Sequence, residues 1–171
     1  FPNIEQDLFH ELSRLNWNVV DQKISDTLKT KEGLVNIAHT SAKIILQTFS
    51  QESLKKLHSV FKNQLPTCFL LWLGDSNMRV NDSMSYHNNL YFARKFGAQI
   101  IGPSIKGSPN NYPDLLNEIN YHWIRNQGFL IHPYSFDTPE QMEKYGPHCD
   151  GMFTNRADLT LPYYKIIKTS Q

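Results

Sequence analysis

Two stretches late in the chain hold residue types suited to a polar site. Gly128-Phe129-Leu130-Ile131-His132-Pro133-Tyr134-Ser135-Phe136 runs from apolar to polar, and Asp150-Gly151-Met152-Phe153-Thr154-Asn155 repeats the order. A histidine and a tyrosine at the end of a buried strand can exchange hydrogen bonds with a ligand, and the histidine can move a proton near neutral pH. In an α/β barrel the strands deliver such side chains at their C-terminal ends, where the active site lies. His132, Tyr134 and, at the end of the second stretch, Asn155 are therefore candidate pocket residues. Asp150 with Gly151 reads instead as a turn leading into the last strand, away from the site.

The elements that must position these residues alternate along the whole chain. Thr138 to Tyr145 has helical composition, which makes the late unit strand, helix, strand. Upstream, Ala42 to Thr48, Thr67 to Leu73 and Gln99 to Gly102 are short apolar runs, as expected of parallel strands covered on both faces. Between them, Gln51 to Phe61 and Asp82 or Ser83 to Phe96 have helical periodicity, with Leu54, Leu57 and Phe61 on one face of the first and Tyr86, Leu90 and Ala93 on one face of the second. Tyr112-Pro113-Asp114 is expected to open a helix with Leu115, Ile119 and Trp123 inward and Gly128 as its stop. Leu159 to Lys168 reads as a last helix in which Pro162 is tolerable only in the first turn. Val19 to Lys31 reads as a helix through Val20, Ile24 and Leu28, and Phe1 to Glu5 as the tail of a strand. The tally is six strands and six helices, which implies a parallel sheet with right-handed crossovers.

Composition narrows the function classes. Lys and Arg number 17 and Asp and Glu 16, with no run of either sign, which argues against a nucleic-acid or anionic-membrane partner. No Gly-x-Gly-x-x-Gly or Gly-Lys-Ser/Thr loop follows a strand, so nucleotide-binding doubly wound folds lack their main signature. No apolar run approaches the roughly 18 residues of a membrane span. The chain of 171 residues suffices for one domain but is short for a complete eight-stranded barrel of about 250 residues. Opening on Phe1-Pro2-Asn3-Ile4 without an initiator Met, it reads as cut, processed or truncated. Cys68 and Cys149 make no disulfide framework, and His148-Cys149 beside His132 lacks metal-ligand spacing. The remaining histidines, His10, His39, His58, His87 and His122, read as surface residues, and Asn81-Asp82-Ser83 as a chance glycosylation triplet.

The His132-Pro133-Tyr134 and Asp150-Gly151-Met152-Phe153-Thr154 pair resembles the last two strands of a glycerophosphodiester phosphodiesterase. The likeness extends upstream in order. Ile101-Gly102-Pro103 resembles the family's sixth strand, Leu46-Gln47-Thr48-Phe49 its fourth, and Phe1-Pro2-Asn3-Ile4-Glu5 its third. The resemblance implies α/β architecture as an incomplete (β/α)8 TIM barrel of phosphodiesterase type, residues 1–171 forming the C-terminal part of one domain without the first strands. It implies metal-dependent hydrolysis of a small glycerophosphodiester to an alcohol and glycerol 3-phosphate by the parent protein. It also implies a divalent metal, Ca²⁺ or Mg²⁺, held by carboxylates. The family's two catalytic histidines fall on strands this chain lacks, so no catalytic residue is assigned, and the N-terminal barrel half is the expected partner. Phe49, His132, Tyr134, Phe136 and Asn155 are the implied substrate wall. Asn3 and Glu5 stand where the family has a metal-binding Glu and a basic phosphate contact, and a strand there would place both on one face. These departures motivate the alternative of a non-catalytic binding or scaffold domain derived from such a barrel.

Overall fold

The computed structural model describes residues 2–17, 24–30, 33–39, 44–74, 78–79 and 82–168. A first helix, α1 (Ile4–Arg14), precedes a hairpin of β1 (Ile24–Thr30) and β2 (Gly33–His39). Then come β3 (Leu46–Thr48), α2 (Gln51–Phe61), β4 (Thr67–Leu71), α3 (Ser83–Lys95), β5 (Ile100–Pro103) and α4 (Glu118–Asn126). The chain closes with β6 (Leu130–Ile131), α5 (Pro139–Tyr145), a 3-10 turn (Gly146–His148) and α6 (Ala157–Lys168). Strands β3, β4, β5 and β6 pair in that order, each parallel to the next, while β1 and β2 form a separate antiparallel pair. A doubly wound sheet reverses its strand order at a switch point. This sheet runs through four consecutive strands without reversing, as an arc of a barrel does.

Helix starts are written locally. The Ser50 side chain accepts from Ser53 N–H ahead of α2, Asp82 from Ser85 N–H ahead of α3, and Asn117 from Asn120 N–H ahead of α4. Thr138 and Gln141 form a reciprocal capping box at α5, with Pro139 at the first helical position. Gly128, at φ +72°, supplies the left-handed residue beyond the α4 C-cap Gln127.

Strand alternation sorts the core into faces. Phe69, Leu71, Ile101 and Ile131 pack with Leu90 and Ala93 of α3, Ile124 of α4, and Met142 and Tyr145 of α5. Leu46 packs with Leu57 and Phe61 of α2, Leu65, and Leu12 of α1. The opposite face of the sheet holds Cys68, Leu70, Ile100, Leu130 and Tyr134, with Tyr112 and Phe153 against them. Cys68, Ile100 and Leu130 form one row across β4, β5 and β6, and Leu70 and Gly102 begin the next. At Gly102 a Cβ would fall against the Leu70 side chain, 2.9 Å from the His132 carbonyl oxygen and 3.1 Å from Cys68 Sγ, so this close-packed position excludes larger residues.

Several expectations are corrected. Residues 4 and 5 begin α1 and do not end a strand: Asn3 is the residue before the helix, and Glu5 is buried in its first turn. An amphipathic stripe decides this, because Leu12 is buried and Phe9 packs edge-on against Phe61 at 5.4 Å. Within the Val19 to Lys31 stretch, residues 24–30 form a β-strand paired with β2, from Ile24 opposite His39 to Thr30 opposite Gly33; residues 19–23 and 31 lie outside the described residues. The i, i+4 spacing of Ile24 and Leu28 also satisfies a strand's two-residue repeat, and Thr27 and Thr30 favour the strand. Strand β3 covers Leu46–Thr48 of the longer expected run, whose residues 42–43 lie outside the described residues. Helix α4 starts after Asn117, several residues beyond Pro113, and leaves Ile119 63% exposed where an inward position was expected. Pro162 lies inside α6, past its first turn. The Asp150–Asn155 stretch runs beside β6 without becoming a regular strand. Asp150 N–H donates to Ile131 O at 2.9 Å and Phe153 N–H to Pro133 O at 3.0 Å, but Pro133 has no N–H to return.

Candidate functional site

The strand ends converge on one aromatic rim. Phe49 follows β3, Trp72 follows β4, and Tyr134 lies two residues beyond His132 at the end of β6. Phe49 meets Trp72 edge-on at 6.3 Å between ring centroids and Tyr134 at 5.4 Å, while Tyr112 meets Tyr134 at 5.6 Å. Phe49 and Trp72 remain 44% and 42% exposed, whereas Tyr134 is buried. The Tyr134 hydroxyl donates to the Leu71 carbonyl at 2.8 Å, which fixes the ring at the mouth. Burial pushes that phenol well above its ordinary range, so it stays protonated.

His132, two residues earlier and half-buried, lies against Phe153 at 6.2 Å between rings and so close to Gly151 that a Cβ added there would lie 2.7 Å from Nε2. Desolvation pulls its pKa down to about 4, against a smaller upward pull from the Asp150 carboxylate and a further downward push from Arg125. At neutral pH it is an uncharged imidazole, able to accept or donate one hydrogen bond but holding no positive charge for a phosphate.

Asp150 does more than shape a turn. Its carboxylate takes Arg125 Nη1 at 2.6 Å and Nη2 at 3.0 Å, and Ile131 N–H at 2.8 Å. This bidentate pair pins the stretch before Asn155 to α4 and β6. Asn155 itself is exposed, with its N–H and Nδ2 both donating to Asp137 Oδ1 at 3.2 Å.

The structure thus gathers Phe49 and Tyr134 at the mouth, sets His132 below them and places Asn155 at the end of the neighbouring stretch. Phe136 does not join them: it is fully buried on the helix-covered side with Met142 and Tyr145, because the alternation of the strand ends after Tyr134. Asn3 and Glu5 stand at the start of α1, which packs on α2. Trp72, Tyr112, Phe153 and Asp137 belong to this region and were not singled out from the sequence. Position in the strand rows marks Trp72 and Phe153, but nothing local marks Tyr112 or Asp137.

The other candidates behave as background. Among the described residues no three His, Cys, Asp or Glu side chains group to hold a metal ion. Burial pushes the Cys68 thiol far up and the Cys149 thiol up to about 12, so neither is a thiolate near neutral pH. His10, His87, His122 and His148 are exposed; His58 is half-buried, with Nδ1 3.1 Å from Asn63 Oδ1. The side chain of His39, and Asn81 of the glycosylation triplet, lie outside the described residues. No described helix is long and apolar enough to cross a membrane.

No family model matches the chain. It is, however, 30% identical over 152 residues to a glycerophosphodiester phosphodiesterase of Bacillus subtilis strain 168, a match covering 87% of this chain. The chain spans 44% of the length of this curated relative. A solved structure from Silicibacter pomeroyi DSS-3, assigned provisionally as a glycerophosphoryl diester phosphodiesterase, overlaps with a TM-score of 0.49 at 16% identity, covering 64% of this chain and 33% of that one. The match to the Bacillus subtilis protein, at 87% of this chain, takes in most of the parallel sheet described here.

Proposed function

We propose that the parent protein hydrolyses glycerophosphodiesters to an alcohol and glycerol 3-phosphate, and that this chain supplies part of the substrate wall. The observation that carries the reading is the 30% identity to a glycerophosphodiester phosphodiesterase, running through the strands whose ends hold Phe49, His132 and Tyr134. Rings at the mouth suit the apolar flank of a glycerol unit, and an uncharged His132 beneath them suits a hydroxyl. Asn155 lines the far side in this proposal. A divalent cation, Ca²⁺ or Mg²⁺, is part of the proposal for the complete domain, where it would neutralise phosphoryl charge. The described residues do not fit such an ion: Glu5 is buried in a helix, Asn3 precedes it, and no third ligand-type side chain groups with them. Its ligands are therefore assigned to the N-terminal barrel half, the proposed partner of this chain, and no step is derived through it.

The second reading, a non-catalytic binding or scaffold domain, is favoured by the helical placement of Asn3 and Glu5, which removes both from a strand end. One experiment separates the two. The gene is expressed with and without the codons upstream of Phe1, and glycerol 3-phosphate release from glycerophosphocholine is followed with Ca²⁺, Mg²⁺ or EDTA. The longer product is expected to turn over with metal and this chain to match a heat-killed control. Inactivity of the longer product would favour the binding domain; metal-dependent turnover by this chain alone would overturn the division of roles.

A further inference from the structure

Asp137 follows the end of β6 and is only 8% exposed, yet it forms no ion pair among the described residues. A carboxylate withdrawn from water is tolerable only where hydrogen bonds replace the lost solvation. Here uncharged donors do so. Oδ1 accepts from the N–H and Nδ2 of Asn155, and Oδ2 from Asn110 Nδ2 at 2.9 Å and Ser135 Oγ at 2.8 Å. Asn110 Nδ2 also reaches Ser135 Oγ at 2.8 Å. The Asp137 N–H donates to Gln141 Oε1 at 2.8 Å, which ties Asp137 to the start of α5.

The donors come from three separate stretches: the β5–α4 connection, the β6–α5 connection and the stretch that ends at Asn155. The first two lie past the ends of β5 and β6, and the third runs beside β6. Tyr112, two residues beyond Asn110, leans on Tyr134. We infer that Asp137 is a positioning residue for the substrate wall, a buried side chain that clasps these stretches and so holds Tyr112 against Tyr134 and Asn155 at the end of its stretch. What the wall binds rests on the functional reading above; the clasp itself rests on the hydrogen bonds.

The clasp depends on which atoms donate, and this makes it testable. Asp137→Leu keeps the bulk and removes both acceptor oxygens, leaving the donors of Asn110, Ser135 and Asn155 without their partner, whereas Asp137→Asn alone can be met by turning the Asn110 amide so that its Oδ1 accepts. Asn110→Asp sets two carboxylates together. Adding Asp137→Asn to Asn110→Asp relieves that repulsion: the amide at 137 donates to the carboxylate at 110, which also accepts from Ser135, while the amide oxygen keeps both Asn155 bonds.

Amide hydrogen exchange on this chain reads the clasp without reference to activity. Protection of the segments containing Tyr112 and Asn155 is expected to fall about tenfold or more in Asp137→Leu and in Asn110→Asp, and to recover when Asp137→Asn is added to Asn110→Asp. Unchanged protection in Asp137→Leu, or a double variant no better than Asn110→Asp alone, would overturn the clasp. In the longer protein, KM for glycerophosphocholine is expected to rise about tenfold in Asn110→Asp with kcat little changed, and to return in the double variant. A lowered Tm with unchanged KM would overturn the positioning role. A wild-type protein without turnover would sink the functional reading instead, leaving hydrogen exchange to decide the clasp.

Discussion

Acidification should weaken this fold through His132, by an amount the structure allows to be worked out. The imidazole is half-buried and uncharged, with a pKa lowered from 6.5 to about 4, chiefly by desolvation. In the unfolded chain it takes up a proton near pH 6.5, so between the two values the unfolded state binds more protons and stability falls as pH falls. Above pH 6.5 both states are neutral and the term vanishes; below about 4 it is fully expressed. At about 1.4 kcal/mol per tenfold change in proton affinity, the gap from 6.5 to about 4 amounts to about 3 kcal/mol, of which about 2 kcal/mol is felt by pH 5. His132→Gln removes the titration and keeps a neutral polar side chain. Urea unfolding of both proteins at pH 7.5 and pH 5.0, with slopes checked for two-state behaviour, gives a difference of differences in which the carboxylates cancel. The wild type is expected to lose about 2 kcal/mol more than the variant. Parallel losses in the two proteins would refute the claim that His132 is held neutral by burial.

Asp150→Asn should cost about 3 kcal/mol in urea unfolding, because it leaves the Arg125 guanidinium, 5% exposed, without its bidentate partner; a loss below about 1 kcal/mol would mean that water takes over the pairing. Gly102→Ala should cost about 1–3 kcal/mol by overpacking against Leu70 and the His132 carbonyl, read as a lower urea midpoint. An unchanged midpoint would show that the inner face of the sheet yields more readily than its packing implies.

What the sequence disclosed depended on how local the deciding interaction was. Helices α2 and α3 were legible to within a residue, because Ser50 and Asp82 cap them with their own side chains and the buried faces repeat at helical spacing. Helix α4 was misread at its start because Pro113-Asp114 resembles an opening, whereas Asn117 makes the capping bond. At Ile24 and Leu28 the periodicity fits helix and strand equally, and cross-strand pairing with residues 33–39 settles it. The site divides in the same way. Phe49 and Tyr134 could be named because each ends an apolar run, while Asp137 acquires its partners from positions 18 and 27 residues away, a relation that no window of sequence displays. Phe136 closes the same run but packs behind the sheet, where the strand alternation stops.

The bond from the Tyr134 hydroxyl to the Leu71 carbonyl has a mechanical meaning. It reaches from the end of β6 to the end of β4, over the intervening β5. Adjacent strands lie about 4.8 Å apart, so on a flat sheet the span would be roughly 10 Å. A phenol rising from one strand meets a carbonyl that far off more readily when the sheet bends toward the side it occupies. The residues beneath it on β5 and just past its end, Gly102 and Ser104, are small enough to let it pass. The tie acts as a bowstring: it holds the ends of β4 and β6 together near the mouth, across the shoulder of β5.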